Sequence, residues 1–209
     1  MNITITYKIR FFSDWHCGSG LSSGADTDLL VIKDKEKMPF VPGKTMKGLI
    51  KEALEDIQEL DDQYAELDLV KILGKEAKVS KGLEKTDESK KETDGRFSQN
   101  GCCFFKNAEL DKELRDHIVN NRLQDYLYHS ISSTAIKDGV AKEHSLRKMQ
   151  VTVPCELTGE ILDVPKEYGI LFKDALSYIK RLGQSRNRGL GRCLIEIISP
   201  EIIEEGKSS

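Results

Sequence analysis

Two aspartates, Asp26 and Asp28, end a glycine- and serine-rich stretch, SDWHCGSGLSSGADTD, that has no apolar period. Carboxylates two residues apart in a loop can hold a divalent cation through waters. One of them can instead orient a ribose 2′-hydroxyl for attack on its own phosphate. The same residues beside serines also serve as caps or solvated turn residues, so spacing alone leaves both readings open. A second candidate is the Gly-Arg loop GQSRNRGLGR, where Gly183, Gly189 and Gly191 alternate with Arg186, Arg188 and Arg192. Glycines let a backbone pass close to phosphates, and arginines neutralise them or stack on bases. A helix-to-strand turn needs one glycine and no arginine cluster, so this loop reads as a nucleic-acid contact.

The third candidate is MPFVPGKTMKG, residues 38 to 48. Pro39 and Pro42 bias the residues before them to extended backbone, and Gly43 permits a tight turn or the close approach of a ligand. Met46, Leu49, Ile50, Leu54 and Ile57 then fall on one face of a 3.6-residue period, which predicts a helix from Lys44. Free N–H groups at its start favour an anion, and Lys44, Thr45 and Lys47 add two charges and a hydroxyl. A proline-stiffened loop capped by Thr45 would give the same pattern.

These stretches must be held by a sheet. Ile3, Ile5, Tyr7, Ile9 and Phe11 alternate with polar residues and predict a half-buried strand. Leu29 to Ile32 reads as a short strand, Gly101 to Phe105 as a buried one, and residues 109 to 128 as a polar, short helix. Ser130 to Ile136 and Val151 to Leu162 read as strands flanking a basic excursion, residues 137 to 150, with Lys137, Lys142, His144, Arg147 and Lys148. That excursion is expected to be a projecting hairpin or finger. Lys166 to Leu182 predicts a second helix with Gly183 as its left-handed cap, and Cys193 to Ile198 the last strand. The order suits an α+β sheet with helices on one face.

The whole chain, residues 1 to 209, is expected to form a single domain, with a net charge of −3 that argues against indiscriminate coating of nucleic acid. Residues 75 to 100 mix both charge signs and hold almost no large apolar side chains, so a mobile insertion or lid is expected there. No apolar run is long enough for a membrane span and the N-terminus lacks a signal-peptide core, which points to the cytoplasm. The five cysteines form no CxxC pair. His16-Cys17 and Cys102-Cys103 could meet around a metal, though isolated cysteines are more often small buried hydrophobes. Neither a Walker motif nor a Ser-His-Asp pattern is present.

Four blocks, in order, resemble the RAMP (repeat-associated mysterious protein) superfamily, and within it the repeated backbone subunit of type III CRISPR effector complexes. They are GADTDLLVIKDKEKMPFVPGKTMKGLIKEAL, KILG, STAIKDGVAKEHSLRKMQ and RLGQSRNRGLGRCLIEI. The resemblance implies a ferredoxin-like, RRM-like core with insertions forming a thumb hairpin and a lid. It also implies an antiviral role, with CRISPR guide RNA, target RNA, further copies of the chain and other type III subunits as partners, and no membrane. Its catalytic aspartate lies six residues before the acid that closes the second strand. With Asp34 as that acid, the resemblance implies Asp28 as the endoribonuclease residue, with Asp26 and Asp28 holding Mg2+ or Mn2+ weakly. By the same matching Lys44, Thr45, Lys47, Arg186, Arg188, Gly189 and Gly191 would hold guide RNA, and Lys137, Lys142 and Arg147 would belong to the thumb. Two alternatives stay open: an inert structural RNA-binding subunit, and a metal-independent RNA-processing endonuclease using His16.

Overall fold

The alternating N-terminal run forms strand β1 (Asn2–Phe11) in the computed structural model. That structure describes residues 1–20, 29–60, 64, 68–75, 99–134, 136–137, 140–141 and 145–200, with backbone alone at 75, 99, 137 and 141. Ile5, Tyr7, Ile9 and Phe11 are buried, and Thr4, Thr6, Lys8 and Arg10 take the other face, as a period of two requires. Phe11 stacks on Trp15 with ring centroids 4.5 Å apart, which carries the core into the following loop. Leu29 to Ile32 does not form the expected strand. Leu29 bridges Met149, Val31 bridges Gly18 and Lys33 bridges Pro39, so alternate residues pair with three different segments and no ladder propagates.

Helix α1 (Gly43–Leu60) buries Met46, Ile50, Ala53 and Leu54, with Leu49 and Ile57 packed beside them, as their spacing predicts. Its start is fixed from outside. The Gly43 N–H donates to Asn107 Oδ1 at 3.0 Å, and a Cβ on Gly43 would run into the Phe105 carbonyl oxygen. The cap is thus a distant side chain rather than Thr45, and the glycine admits a neighbouring backbone rather than a ligand.

Asp68 caps the short helix α2 (Leu69–Leu73), accepting from the N–H groups of Val70 and Lys71. Strand β2 (Gly74–Lys75) then pairs antiparallel with β3 (Gln99–Asn100). Of the expected insertion, residues 76–98 lie outside the described residues, and this two-residue ladder brings its ends together. Of the expected strand at 101 to 105 only β4 (Phe104–Phe105) forms. Helix α3 (Lys112–Asn120) is capped by Asp111 and carries Arg115, which pairs with Asp34 and Glu36, both at 2.6 Å. Asp34 also accepts from the N–H groups of Glu36 and Met38, which makes it a turn-fixing residue.

Strands β5 (Tyr128–Ser133), β6 (Ile136–Lys137), β7 (Val140–Ala141) and β8 (Arg147–Thr152) build one long excursion. β5 pairs β8 from Tyr128 opposite Thr152 to Ser133 opposite Arg147, and β6 pairs β7 nearer the tip. The expected strand at 151 to 162 is two strands. β8 stops at Thr152 and β9 (Glu156–Pro165) begins beyond Pro154, which has no N–H to continue a ladder.

Helix α4 (Gly169–Tyr178) is shorter than expected, and β10 (Cys193–Ser199) closes the chain's main sheet. Leu182 N–H donates to Gly191 O at 2.8 Å and Cys193 N–H to Lys180 O at 2.9 Å, so residues 180 to 182 pair as an extended segment instead of continuing the helix. Gly183 is left-handed, with φ 95°, but does not cap the helix. The main sheet has the order β10-β1-β9-β4, with antiparallel neighbours throughout. One face packs against α1 and α4, which supply Met46, Ile50, Leu171, Phe172 and Leu176 to the core. The other face is laced with ion pairs: Glu156 holds Lys8 and Arg10, and Glu160 holds Lys106. The chain is therefore a mixed α+β structure. No helix among the described residues is long and apolar enough to cross a membrane.

Among the described residues, Tyr7 carries a polar atom without a partner into the hydrophobic core. Tyr7 is fully buried, its hydroxyl makes no hydrogen bond, and burial raises its pKa well above the usual phenol value. An unsatisfied buried hydroxyl costs about 1–3 kcal/mol. Tyr7→Phe is accordingly expected to stabilise the fold by about 1 kcal/mol in a urea titration, and a lower midpoint would show that the hydroxyl is satisfied.

Candidate nucleic-acid interface

The start of α1, the loop after β1 and the Gly-Arg loop meet around a cleft of about 320 Å³, lined among others by His16, Lys44, Thr45, Gln184 and Arg186. Backbone contacts lock the two loops together. Gln184 N–H donates to His16 O at 2.9 Å and Gly191 N–H to Asp14 O at 2.8 Å. A Cβ on Gly183 would strike the His16 carbonyl oxygen, so glycine is required at that crossing. Within the loop a short 3-10 turn spans Arg186–Arg188, flanked by left-handed Ser185 and Gly189. Arg181 Nη1 donates to the Arg186 carbonyl at 2.8 Å and fixes the turn from behind.

The charges of α1 run against its own dipole. Lys44 and Lys47 stand near its start, its first turn holds no acid, its last turn holds no base, and Glu55, Asp56 and Glu59 gather towards its end. Each such misplaced charge near a helix terminus costs about 0.3–1 kcal/mol. An anion seated at the N-terminal end would reverse the sign of that interaction. Only the groove-side part of this cationic end faces the cleft. Lys44 and Thr45 line it, whereas Lys47 lies on the β4 flank, close enough to oppose the burial that pushes the Cys103 thiol up to about 12.

A second cavity of about 490 Å³ opens on the other side of the Gly-Arg loop. Its lining includes Leu29, Arg147, Lys148, Met149, Arg188 and Leu190. Leu29 is fixed there by its bridge to Met149 and by Gln150 N–H donating to its carbonyl at 2.9 Å. Asp26 and Asp28 lie outside the described residues. Arg186 therefore serves the first cavity and Arg188 the second, with the excursion's Arg147 beside the latter.

Of the remaining expected residues, Gly189 and Gly191 are left-handed with φ 89° and 69°. Lys137 is described by its backbone alone, in β6, and Lys142 lies outside the described residues. Among the polar side chains lining the first cleft, Gln184, Glu52 and His16 are not RNA contacts that the sequence singles out. Gln184 enters through its neighbours, and Glu52 lies on the same face of α1 as Lys44 and Gly48. His16 is fully buried with Nδ1 2.6 Å from the Gln150 carbonyl, so Nδ1 carries a proton, and Nε2 has no partner. Among the described residues no group of three or more His, Cys, Asp or Glu is arranged to hold a metal ion. Cys17, Cys103 and Cys193 are buried.

The fold is similar to that of a chain in a cryo-EM structure of the Type III-B Cmr-beta bound to cognate target RNA. Identity is 11%, covering 93% of this chain and 97% of that one, with a TM-score of 0.64. A chain of the Type III-B Cmr-beta in its apo state, also from cryo-EM, is similar at 12% identity, covering 96% and 99%, with a TM-score of 0.60. At such identities the likeness is one of fold. No curated protein sequence matches the chain. The family model described as "RAMP superfamily" matches residues 8–194, from within β1 to the second residue of β10. That span takes in both cavities and the loop between them, and the chain belongs to the RAMP superfamily.

Proposed function

We propose that the chain is a guide-RNA-binding backbone subunit of a type III CRISPR effector complex and that Asp28 cuts target RNA paired with the guide. The observation that carries this reading is the meeting of the α1 start with the Gly-Arg loop, which sets Lys44, Thr45 and Arg186 around one cleft and Arg188 with Arg147 around the next. The fold supports it. A sheet ordered β10-β1-β9-β4 with α1 and α4 on one face supports the reading of a ferredoxin-like, RRM-like core. Unlike an RRM, this chain fills its open sheet face with paired charges, which leaves the cleft side for RNA. In this reading the excursion from β5 to β8 serves as the thumb. The structures of Type III-B Cmr-beta with and without target RNA share this fold, which favours RNA and further subunits as partners.

In this reading Lys44, Thr45 and Arg186 hold guide phosphates, with Lys47 and Gly189 flanking them. A displaced target nucleotide lies at the second cavity, where Arg147, Lys148 and Arg188 offset charge on the phosphate oxygens. The Asp28 carboxylate orients the 2′-hydroxyl and takes its proton as the 2′-oxygen attacks the adjacent phosphorus, which expels the 5′-oxygen of the next nucleotide. The oxygen donors of Asp26 and Asp28 suit Mg2+ or Mn2+, which when bound would neutralise phosphate charge. Burial of His16 argues against its use as the general base of an RNA-processing enzyme.

The test is the assembled complex carrying Asp28→Ala. Cutting of matched RNA is expected to fall by at least about 100-fold while target binding is kept, in line with the loss of a proton-transfer group. Unchanged cutting at regular spacing would remove Asp28 from the chemistry. A wild-type complex that binds target without spaced cuts would make the subunit a structural one.

A further inference from the structure

We propose that Glu52 lowers the RNA affinity of this groove by holding Arg186 when no RNA is bound, so that weak, few-contact RNAs fall below the level at which they stay bound. The inference rests on the RNA-binding reading above. Glu52 lies on α1 two turns beyond Lys44, and it lines both the cleft at the helix start and a neighbouring groove of about 410 Å³ between α1 and α4. Its carboxylate stands 3.7 Å from Arg186 Nη1. Both side chains are well exposed, at 61% for Glu52 and 42% for Arg186, so the pair adds little to folding. Its effect falls on the ligand.

A phosphate that reaches Arg186 must displace Glu52 and then remain beside it. The carboxylate therefore subtracts a nearly constant amount from every RNA that uses this arginine. An RNA held at many other points tolerates the loss, whereas one held at a few does not. Glu55, one turn on, offers the contrast: it pairs with Lys51 at 3.6 Å along the helix and lines neither cavity. The Arg181 contact to the Arg186 carbonyl keeps the turn in place when Glu52 lets go, so release needs only a side-chain rotation.

The test uses the full chain and a fluorescein-labelled polyuridine RNA, with affinity read by anisotropy at low salt. Glu52→Gln keeps the shape and removes the charge, and is expected to tighten binding about threefold to tenfold, the scale of one unit charge at this separation in a wet groove. Glu55→Gln is expected to leave affinity unchanged. In an Arg186→Ala background, Glu52→Gln is expected to lose most of its effect. Equal gains from Glu55→Gln and Glu52→Gln, or a Glu52→Gln gain that survives Arg186→Ala, would overturn the proposal by reducing it to net charge. RNA binding by the wild type with no response to Glu52→Gln overturns this inference alone. No RNA binding by the wild type overturns the reading on which it stands.

Discussion

Replacing Lys44, Arg186 and Arg188 together by alanine is expected to weaken binding of single-stranded RNA by at least about 100-fold, because each charged hydrogen bond contributes about 1.5–3 kcal/mol. The fold should hold, gaining at most about 1 kcal/mol as Lys44 leaves the positive end of α1. Lys44 and Arg188 are exposed, and the Arg186 pair with Glu52 is a surface contact. The salt dependence gives a second readout. Three lost phosphate contacts should flatten the slope of log affinity against log salt by about 2, at about 0.7 per phosphate on a single strand. A matched variant of the open sheet face, Lys8→Ala with Arg10→Ala, removes two cations already committed to Glu156 and should leave both readouts unchanged. If the triple variant stays within about threefold of wild type with the same slope, the RNA does not run through this cleft.

Gly191→Ala is expected to cost about 3 kcal/mol, seen as a melting temperature lower by about 6–12 °C for a chain of this size. Two effects add. Gly191 is left-handed, with φ 69°, and its added Cβ would collide with the Leu182 carbonyl oxygen. The collision also disturbs the hydrogen bonds of Gly191 to Leu182 and Asp14, both 2.8 Å, which anchor the Gly-Arg loop at its C-terminal end. Gly189 provides the comparison. It is left-handed too, with φ 89°, but nothing lies within 4 Å of its would-be Cβ, so Gly189→Ala should cost about 1 kcal/mol. Equal melting temperatures for the two variants would mean that the crossing at Gly191 relaxes freely.

That contrast shows where the sequence stops speaking. Gly183, Gly189 and Gly191 look alike in GQSRNRGLGR, yet one meets the backbone of residue 16, one meets open space and one meets residue 182. Local periodicity was enough for β1 and α1, because alternation and 3.6-residue spacing are properties of the segment itself. It failed where a partner decides. Leu29 to Ile32 has strand-like composition but, with Lys33, bridges three different segments, and residues 180 to 182 have a helical pattern but pair with residues 191 to 193. The break at Pro154 is legible in the sequence, since an internal proline argues against one continuous strand. The Asn107 cap on α1 and the burial of His16 were not legible at all, being set by residues far along the chain.

The reversed charge order of α1 ties loading to lifetime. A helix whose lysines crowd its positive end is at its least stable when nothing negative lies there. A ligand that binds only the folded state adds about 2.7 kcal/mol at a hundredfold excess over its dissociation constant. Occupancy and folding are then one equilibrium viewed from two sides. On the proposed RNA-binding reading, empty subunits would be the first to unfold, and the folded pool would be enriched in those carrying RNA.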